Sequence, residues 1–336
     1  MTNRPTLLSP KAAAVLGLCL LGLGPKAAAQ DGEGVKDPIG DELVVLLVRP
    51  GDAAATEERA AEFLAAFEKL LGEELPMARG KDVRVRLVNR TEGLREFIRA
   101  SGADLVFTPA SVFVSDLRDP PIEGDEPGEP SEARLHARPI GEVQRFGASG
   151  ERYFVAVAKD SESQSLDDLE GLELATPKTI SQDWLRHVVL PLGKRAPEFL
   201  RVRTCENLSD EVFELVEGGG DEVPDGLLFD LETRKLLEDD DFVWPELRVV
   251  WESEPVPQGL LLTVGEGFRD DVGENLRLQL QALLDCEDGQ ELTAQMKADG
   301  LVELDRERLE ATIDRHDRSK AADARERNGE GGDARR

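Results

Sequence analysis

An unbroken apolar run near the start of the chain is the feature that most constrains the fold. The run is Leu43-Val44-Val45-Leu46-Leu47-Val48, and Arg49-Pro50-Gly51 ends it. A segment without alternating polar residues is typical of a strand that is buried on both faces of a parallel sheet. Parallel strands need crossover connections, which are usually helices. The run therefore predicts an α/β protein.

The next segments supply the helices and strands that such a sheet needs. Thr56 is a suitable N-cap, and apolar residues at helical spacing follow it over 60–71. Residues 83–87 alternate between apolar residues and arginine, as in a second strand. Another helix begins at Thr91, and an apolar third strand follows at 105–107. The order βαβαβ implies a parallel sheet with right-handed crossovers.

A second α/β series follows a stretch that breaks this rhythm. Residues 118–134 are rich in Pro, Gly and acidic residues, which predicts a long surface loop. The later predicted elements are strands near 153–158, 172–175, 199–202, 226–229, 247–251 and 260–264, and helices near 181–190, 208–217, 231–238, 271–285, 288–298 and 305–315. The strand segments 152–158 and 248–264 border this series, as in a bilobal protein with a two-strand hinge.

The first 29 residues have the pattern of a secretory signal peptide. Arg4 and Lys11 precede an apolar run at 12–23, and Ala27-Ala28-Ala29 supplies the small residues of a cleavage site. The apolar run is short for a bilayer span, although an uncleaved membrane anchor is the alternative. We therefore predict a soluble exported protein, periplasmic or otherwise outside the cytoplasm, that is cleaved near Ala29.

These patterns divide the chain into five predicted segments. They are a signal peptide (1–29), a linker (30–41), lobe 1 (42–152 plus 255–316), lobe 2 (153–254) and a disordered tail (317–336). The tail is predicted to be disordered because it is mixed in charge and rich in glycine.

The chain is strongly acidic. Its formal net charge is −28, and removal of residues 1–29 takes away three basic residues and no acidic ones, which changes the charge to −31. Such a surface repels nucleic acid and anionic lipid, so no nucleic-acid partner is predicted. It also opposes a free anionic ligand at long range. Salt screens charges over about 8–10 Å, so a local positive site can overcome this repulsion.

Four stretches together resemble one protein family. They are GADLVFTPASVFV (102–114), ERYFVAVAKDSESQSLDDLEGLELATPKTIS (151–181), VEGGGDEVPDGLLFD (216–230) and LRVVWESEPVPQGLLLTV (247–264). The family comprises the solute-binding proteins of phosphonate, phosphite and phosphate ABC transporters, and the resemblance covers roughly residues 42–315. It implies the type 2 periplasmic-binding-protein fold, an α/β fold of two lobes with mixed, mostly parallel sheets joined by a two-strand hinge.

The TPKTISQDW stretch contains the main candidate ligand turn. In the family, a Ser/Thr-Ser-Gly turn before a helix holds the anionic head of the ligand, and Thr179, Ser181 and Gln182 stand in the corresponding region. Ile180 and Gln182 depart from the family pattern, and the glycine is absent. Free N–H groups and the helix dipole favour an anion at such a turn. Capping by Ser181, with Asp183 in the first turn, explains the same residues, so both interpretations stay open.

Further candidate residues follow from the topology and from the resemblance. Ligands of open α/β sheets bind at the C-terminal ends of strands, where Arg49, Thr108 and Ser111 stand. The resemblance adds Phe113, as an aromatic ring over the ligand, and Asp225, as a contact for an amino or hydroxyl group. The alternatives are a solvent-facing Arg49, a core position for Phe113 and a turn role for Asp225.

The residues and the resemblance together predict a binding protein and not an enzyme. The sequence lacks a Gly-x-Ser-x-Gly elbow, His-Glu-x-x-His, a phosphate loop and a dinucleotide fingerprint, and no cofactor or metal is predicted. The resemblance implies a monomer that closes on a small phosphonate- or phosphate-like anion and delivers it to the membrane subunits of an ABC permease. The alternative, favoured by Ile180 and Gln182, is a degenerate sensor or scaffold domain with weak or no anion binding.

Overall fold

The computed structural model describes residues 39–50, 57–119, 134–148, 150–191, 200–217 and 223–327. The predicted signal peptide, most of the linker, most of the Pro-rich stretch and the end of the predicted tail lie outside these residues. The predicted α/β class is confirmed, because the described residues form helices and two sheets with parallel strands.

The strands form two separate mixed sheets. In chain order they are β1 (Glu42–Val48), β2 (Asp82–Val88), β3 (Leu105–Pro109), β4 (Arg138–Gln144), β5 (Tyr153–Ala158), β6 (Leu172–Pro177), β7 (Leu200–Cys205), β8 (Gly226–Asp230), β9 (Leu247–Glu252), β10 (Gly259–Thr263) and β11 (Gly300–Val302). The first sheet has the order β11-β4-β10-β3-β1-β2, and the second has the order β7-β6-β8-β5-β9. Antiparallel pairings all involve β4, β5 or β10, and the others are parallel.

The helices flank these sheets. They are α1 (Glu57–Glu74), α2 (Leu94–Ser101), α3 (Ala110–Val112), α4 (Gln182–Trp184), α5 (Leu208–Glu217), α6 (Leu231–Glu238), α7 (Asp270–Leu284), α8 (Glu287–Gln295) and α9 (Arg306–Arg327). A π-helical segment continues α3 over Phe113–Leu117, and another continues α4 over Leu185–Val189. Both α3 and α4 therefore begin near the C-terminal end of a strand, at the edge of a sheet.

Strand β1 shows why the apolar run predicted a parallel sheet. It pairs in parallel with β2 on one side and β3 on the other. Leu43, Val45 and Leu47 belong to one buried cluster, which includes side chains of α1 such as Phe67. The alternate residues of the strand belong to a different buried cluster. Both faces of β1 are therefore covered, which leaves no position for a polar side chain within the strand.

The chain passes from the first sheet to the second and back through two adjacent segments. The outgoing segment joins β4 to β5, and the returning segment joins β9 to β10. Glu151 and Val256 form an antiparallel bridge between them, with reciprocal N–H···O distances of 2.7 and 2.9 Å. Gln258 also accepts a hydrogen bond from the Arg145 N–H through Oε1 at 2.8 Å. This is the arrangement of the predicted two-strand hinge.

The C-terminal helix differs from the prediction. A helix was expected over 305–315 and disorder from residue 317, but α9 continues to Arg327. Its buried positions recur at helical spacing, at Leu309, Thr312, His316, Ser319 and Asp323. Four of these five residues are polar, so the buried face of α9 has no apolar stripe that identifies it in the sequence.

Candidate functional site

A cleft of about 1310 Å³ lies where residues of both sheets meet. Its lining includes the residues that follow the C-terminal ends of β1, β3 and β6, together with the last residue of β8. Ligands of open α/β sheets bind at this end of the strands. The topology therefore makes the cleft the candidate site.

Five of the eight predicted site residues line the cleft. They are Arg49, Thr108, Ser111, Thr179 and Ser181. The first three come from the first sheet, and the last two follow β6 of the second sheet. The structure thus brings hydroxyl groups from two separate turns to one cavity.

Ser181 takes part in both of the alternatives left open by the sequence. Its hydroxyl oxygen accepts a hydrogen bond from the Trp184 N–H at 3.3 Å, so it caps α4. The same residue lines the cleft. Ile180, which departs from the family pattern, is buried in a hydrophobic cluster and has its N–H bonded to the Pro177 carbonyl at 3.0 Å. Capping and exposure to the cleft therefore coexist at this turn.

The other three predicted residues do not line the cleft. Gln182 donates its side-chain amide to the Val202 carbonyl at 3.1 Å. Phe113 is buried in the hydrophobic core. Asp225 precedes β8, and its carboxylate accepts a hydrogen bond from the Glu173 N–H at 2.8 Å. Asp225 therefore joins the N-terminal ends of β6 and β8, at the opposite end of the strands from the cleft.

Two carboxyl groups that sequence reasoning missed line the cleft beside the N-terminus of α6. Asp230 ends β8 and caps α6 by accepting the Thr233 N–H at 2.9 Å. Glu151, in the outgoing crossover, accepts the Leu231 N–H at 3.0 Å. Burial raises the pKa of Glu151 to about 7, and the neighbouring Asp230 carboxylate adds to this rise. Burial also raises the pKa of Asp230.

Sequence alone contained a signal for Asp230. The rule that ligands bind at the C-terminal ends of strands favours the acid that follows the strand GLLF over the acid that precedes it. The sequence GLLFD places Asp230 at that end and Asp225 at the other. The resemblance directed attention to Asp225, whereas the topology favours Asp230.

An aromatic pair supports the turn that precedes α4. The Trp184 indole N–H donates to the Tyr153 hydroxyl at 3.1 Å, and both side chains are buried. Burial raises the pKa of Tyr153, so its hydroxyl stays protonated and remains available as a donor. Tyr153 lies on β5 at the hinge, so this bond ties the α4 turn to the hinge strand.

The cleft is balanced in charge although the chain is strongly acidic. Among the described residues that line it, the basic ones are Arg49, Arg145, Lys178, Lys297 and Lys320, and the acidic ones are Asp116, Glu151, Asp183, Asp230 and Glu232. The formal charge of this lining is therefore zero, against −28 for the whole chain. The cleft is consequently a local exception to the repulsion that the chain exerts on anions.

Arg145 offers a donor to this cleft. Its guanidinium Nη1 lies 3.9 Å from the Glu232 carboxylate, which Lys297 contacts more closely at 2.5 Å. The Arg145 Nε is buried and has no hydrogen-bond partner among the described residues.

The described residues contain no group of three or more His, Cys, Asp or Glu side chains arranged to hold a metal ion. In the same part of the chain, no helix combines the length and the apolar composition that a membrane crossing requires.

Comparison with known proteins identifies the family. Residues 127–309 match the family model described as ABC transporter, phosphonate, periplasmic substrate-binding protein. The chain belongs to this family. Its members are substrate-binding components of transporters and not enzymes, and the family implies export, a small-molecule ligand and permease partners. No curated protein sequence matches the chain.

Solved structures show the same fold. XAC2383 from Xanthomonas citri, bound to chloride ion, is 14% identical with a TM-score of 0.60, over 84% of this chain and 100% of its own. A binding protein component of an ABC phosphonate transporter from Pseudomonas aeruginosa is 13% identical with a TM-score of 0.53, over 83% and 88%. PhnD1 from Prochlorococcus marinus, in complex with methylphosphonate, is 11% identical with a TM-score of 0.52, over 83% and 98%. The periplasmic-binding-protein fold predicted from the sequence is confirmed.

Proposed function

We propose that the protein is an exported solute-binding protein that closes on a small phosphonate- or phosphate-like anion and delivers it to an ABC permease. One observation carries this proposal: hydroxyl-bearing residues at the starts of α3 and α4, after strands of two different sheets, line one cleft. The first N–H groups of a helix have no intrahelical acceptor and carry the positive end of the helix dipole. Two such helix starts at one cleft suit the several oxygens of a phosphonate group.

Three cleft features support an anion at this place. Ser111 lies in the first turn of α3, and its hydroxyl forms no hydrogen bond to another described residue. Arg49 follows β1 and donates one guanidinium N–H to the Met296 carbonyl at 3.1 Å, which orients the side chain along the cleft wall. Arg145 adds a second guanidinium charge to the lining. Charge-assisted bonds from arginine to phosphonate oxygens are stronger than neutral ones.

The opposite part of the cleft favours a ligand with a cationic or hydroxyl group at its other end. The Asp230 charge disfavours the charged form of Glu151, and both residues line the cleft. An ammonium group between them would favour both carboxylates. An aminoalkylphosphonate would therefore contact the hydroxyl turns with its anion and the acidic pair with its amine.

Closure of the lobes is the proposed mode of capture. Lys297, between α8 and β11, pairs with Glu232 in the first turn of α6, so an ion pair joins elements of the two sheets at the cleft. Ligand contacts on both walls would stabilise the closed form over the open one, which is how a ligand shifts such an equilibrium. We propose that the monomer, in its closed form, is the species recognised by the permease.

A thermal-shift screen tests the proposal. The protein without its predicted signal peptide (residues 30–336) is heated with phosphate, phosphite, methylphosphonate, aminoethylphosphonate, unrelated amino acids or sugars. Binding to the native state alone raises the melting temperature, so a rise limited to the phosphorus compounds is expected. That rise should be lost when Thr179→Ala is combined with Ser181→Ala.

Two further results would decide between the alternatives. A folded protein that shows no shift with any anion would contradict the proposal and favour a degenerate sensor or scaffold. A shift with aminoethylphosphonate that grows between pH 6 and pH 8 in the wild type, and grows less in Glu151→Gln, would support the acidic pair. The sign follows because Glu151 must lose its proton to pair with an ammonium group, and its pKa is about 7.

A further inference from the structure

The C-terminal helix contributes a charged residue to the cleft. Lys320 lies on α9, in the part of the chain for which the sequence predicted disorder, and it lines the cavity. Its Nζ lies 3.0 Å from an oxygen of Asp183, in the first turn of α4. Asp116, in the π-helical segment that continues α3, lines the same cavity and also interacts with Lys320. The contact with Asp183 therefore places the Lys320 ammonium group beside the first turn of α4.

The position of Lys320 is set by buried neighbours on the same helix. The adjacent Ser319 is fully buried, and its hydroxyl lies 2.8 Å from His187 Nδ1, in the π-helical segment that continues α4. One turn further on, Asp323 is buried and lies 3.1 Å from Arg186. These contacts fasten α9 to the segment that carries the Ser181 turn.

The same helix is also held to elements of the first sheet. Arg308 pairs with the buried Glu142 of β4 at 2.8 Å. Arg118, which follows the π-helical segment of α3, donates to the Asp317 carboxylate at 2.9 Å. The helix thus contacts both walls, and its length of about 33 Å at 1.5 Å per residue is enough to reach them.

The two carboxyl groups create a problem for an anion site. Asp183 adds a negative charge beside the Ser181 turn, and Asp116 adds a second one in the π-helical segment that follows Ser111. Like charges near a binding site weaken the binding of an anion, and more strongly where water is partly excluded. Burial raises the pKa of Asp116, and the charge of Lys320 opposes that rise.

We propose that Lys320 is a specificity-determining residue of the cleft, because its ammonium group neutralises the neighbouring Asp183 and so permits a phosphonate or phosphate anion to bind between the two hydroxyl turns. This inference rests on the proposed function. It assigns the C-terminal helix to the binding site rather than to a dispensable tail. It also predicts that truncation before Ser319 would impair ligand binding.

Variants of residues 30–336 that remove, keep or rebalance the Lys320 charge test the inference. Their affinities for methylphosphonate and inorganic phosphate are measured by titration calorimetry. Lys320→Ala should weaken binding about five- to tenfold, which corresponds to one charge acting through a partly solvated site. Lys320→Arg should stay within about twofold of the wild type. Adding Asp183→Asn to Lys320→Ala should restore affinity to within about twofold, because the uncompensated charge is then gone.

A matched control removes the same charge from the same helix. Arg318 is exposed on α9, does not line the cleft, and its Nε donates to the Asp314 carbonyl at 3.1 Å. Arg318→Ala should leave both affinities unchanged, and thermal unfolding should show that all variants are folded. High salt should narrow the gap between Lys320→Ala and the wild type, since Lys320 and Asp183 are each about half exposed.

The possible failures are distinguishable. If the wild type binds either anion and Lys320→Ala binds it equally well, the inference about Lys320 is wrong and the proposed function stands. If Lys320→Ala binds the anion weakly and the added Asp183→Asn does not restore the affinity, the loss does not come from an uncompensated charge, and the inference is also wrong. If the folded wild type binds neither anion, the proposed function fails and the inference fails with it.

Discussion

Two kinds of helix N-terminus lie at the cleft, one beside hydroxyl groups and the other beside carboxyl groups. α3 and α4 begin beside the hydroxyl groups of Ser111 and Ser181, whereas α6 begins between the carboxyl groups of Asp230 and Glu151. The N-terminus of a helix carries a partial positive charge, which a carboxylate compensates and a neutral hydroxyl group does not. Asp183 also lies in the first turn of α4, but it is paired with Lys320. We therefore propose that an anion binds at the starts of α3 and α4, and that a cation or hydroxyl group binds near α6.

The two hydroxyl turns also differ from each other. Ser181 accepts a backbone N–H and so already stabilises α4, while α3 follows Pro109 and has no side-chain cap. Loss of the two hydroxyl groups should therefore separate stability from ligand binding.

Ser181→Asp should have the largest effect on ligand affinity, because it places a carboxylate where the start of α4 now has a hydroxyl group. A like charge about 4 Å from the ligand costs about 4 kcal/mol at an effective dielectric of 20, so methylphosphonate affinity should fall at least about 100-fold. Aspartate is also a good N-cap, so the melting temperature should change little. Calorimetry and thermal unfolding measure both quantities, with the neutral cap Ser181→Asn as the control. Wild-type affinity in the aspartate variant would contradict the contrast.

Glu151→Gln tests the carboxyl group at the start of α6 through the pH dependence of the free energy of unfolding. The folded-state pKa of Glu151 is about 7 against an ordinary value of 4.5, so the unfolded chain releases this proton first as pH rises. Wild-type stability should consequently fall relative to the variant between about pH 4.5 and pH 7, by up to about 3 kcal/mol. The glutamine oxygen can still accept the Leu231 N–H.

Urea unfolding at pH 5 and pH 8 measures this difference between Glu151→Gln and the wild type. Glu310→Gln removes a charge from an exposed position on α9 and serves as the control. Parallel stability profiles for Glu151→Gln and the wild type would show that Glu151 is not destabilised as a carboxylate in the folded protein.

Ser111→Ala should weaken methylphosphonate binding at least about tenfold, since a hydrogen bond to a charged group contributes about 1.5–3 kcal/mol. Its free energy of unfolding should stay within about 0.5 kcal/mol of the wild type, because no cap is lost. Ser181→Ala should weaken binding similarly and should also lose about 1 kcal/mol of stability. Equal stability losses in the two alanine variants, measured by urea unfolding, would remove the distinction between the turns.

Asp225→Ala should have the smallest effect on ligand affinity. The carboxylate of Asp225 joins β6 to β8 away from the cleft, so the variant should lose about 0.5–1 kcal/mol of stability and keep its affinity. Calorimetry with aminoethylphosphonate provides the check. A tenfold loss of affinity would place Asp225 at the ligand after all, as the resemblance implied.

Apolar patterning explains which parts of the fold could be predicted from the sequence. β1 was recognised because both of its faces are buried, and α5 and α6 have the predicted boundaries. β4, with the sequence RPIGEVQ, contains Pro, Gly and polar residues and was missed. The second half of α9 was missed because its buried residues, His316, Ser319 and Asp323, are polar. Ser319 contacts His187 and Asp323 pairs with Arg186, so this half of the helix has no apolar stripe that the sequence could reveal.

The candidate site was predictable where it follows the ends of strands. Arg49, Ser111 and Ser181 line the cleft because each comes directly after a strand or its turn. Glu151 and Lys320 were not predictable, because each reaches the cleft through the tertiary arrangement of a crossover or a distant helix. Local sequence around these two residues carries no sign of that position.

A crystal structure of residues 30–336 with methylphosphonate would locate the anion itself. We expect one phosphonate group in the cleft, with its oxygens within hydrogen-bond distance of Ser111 and Ser181 and of N–H groups at the starts of α3 and α4. Phosphonate density beside Glu151 and Asp230, or outside the cleft altogether, would contradict the assignment of the anion to the hydroxyl-bearing helix ends.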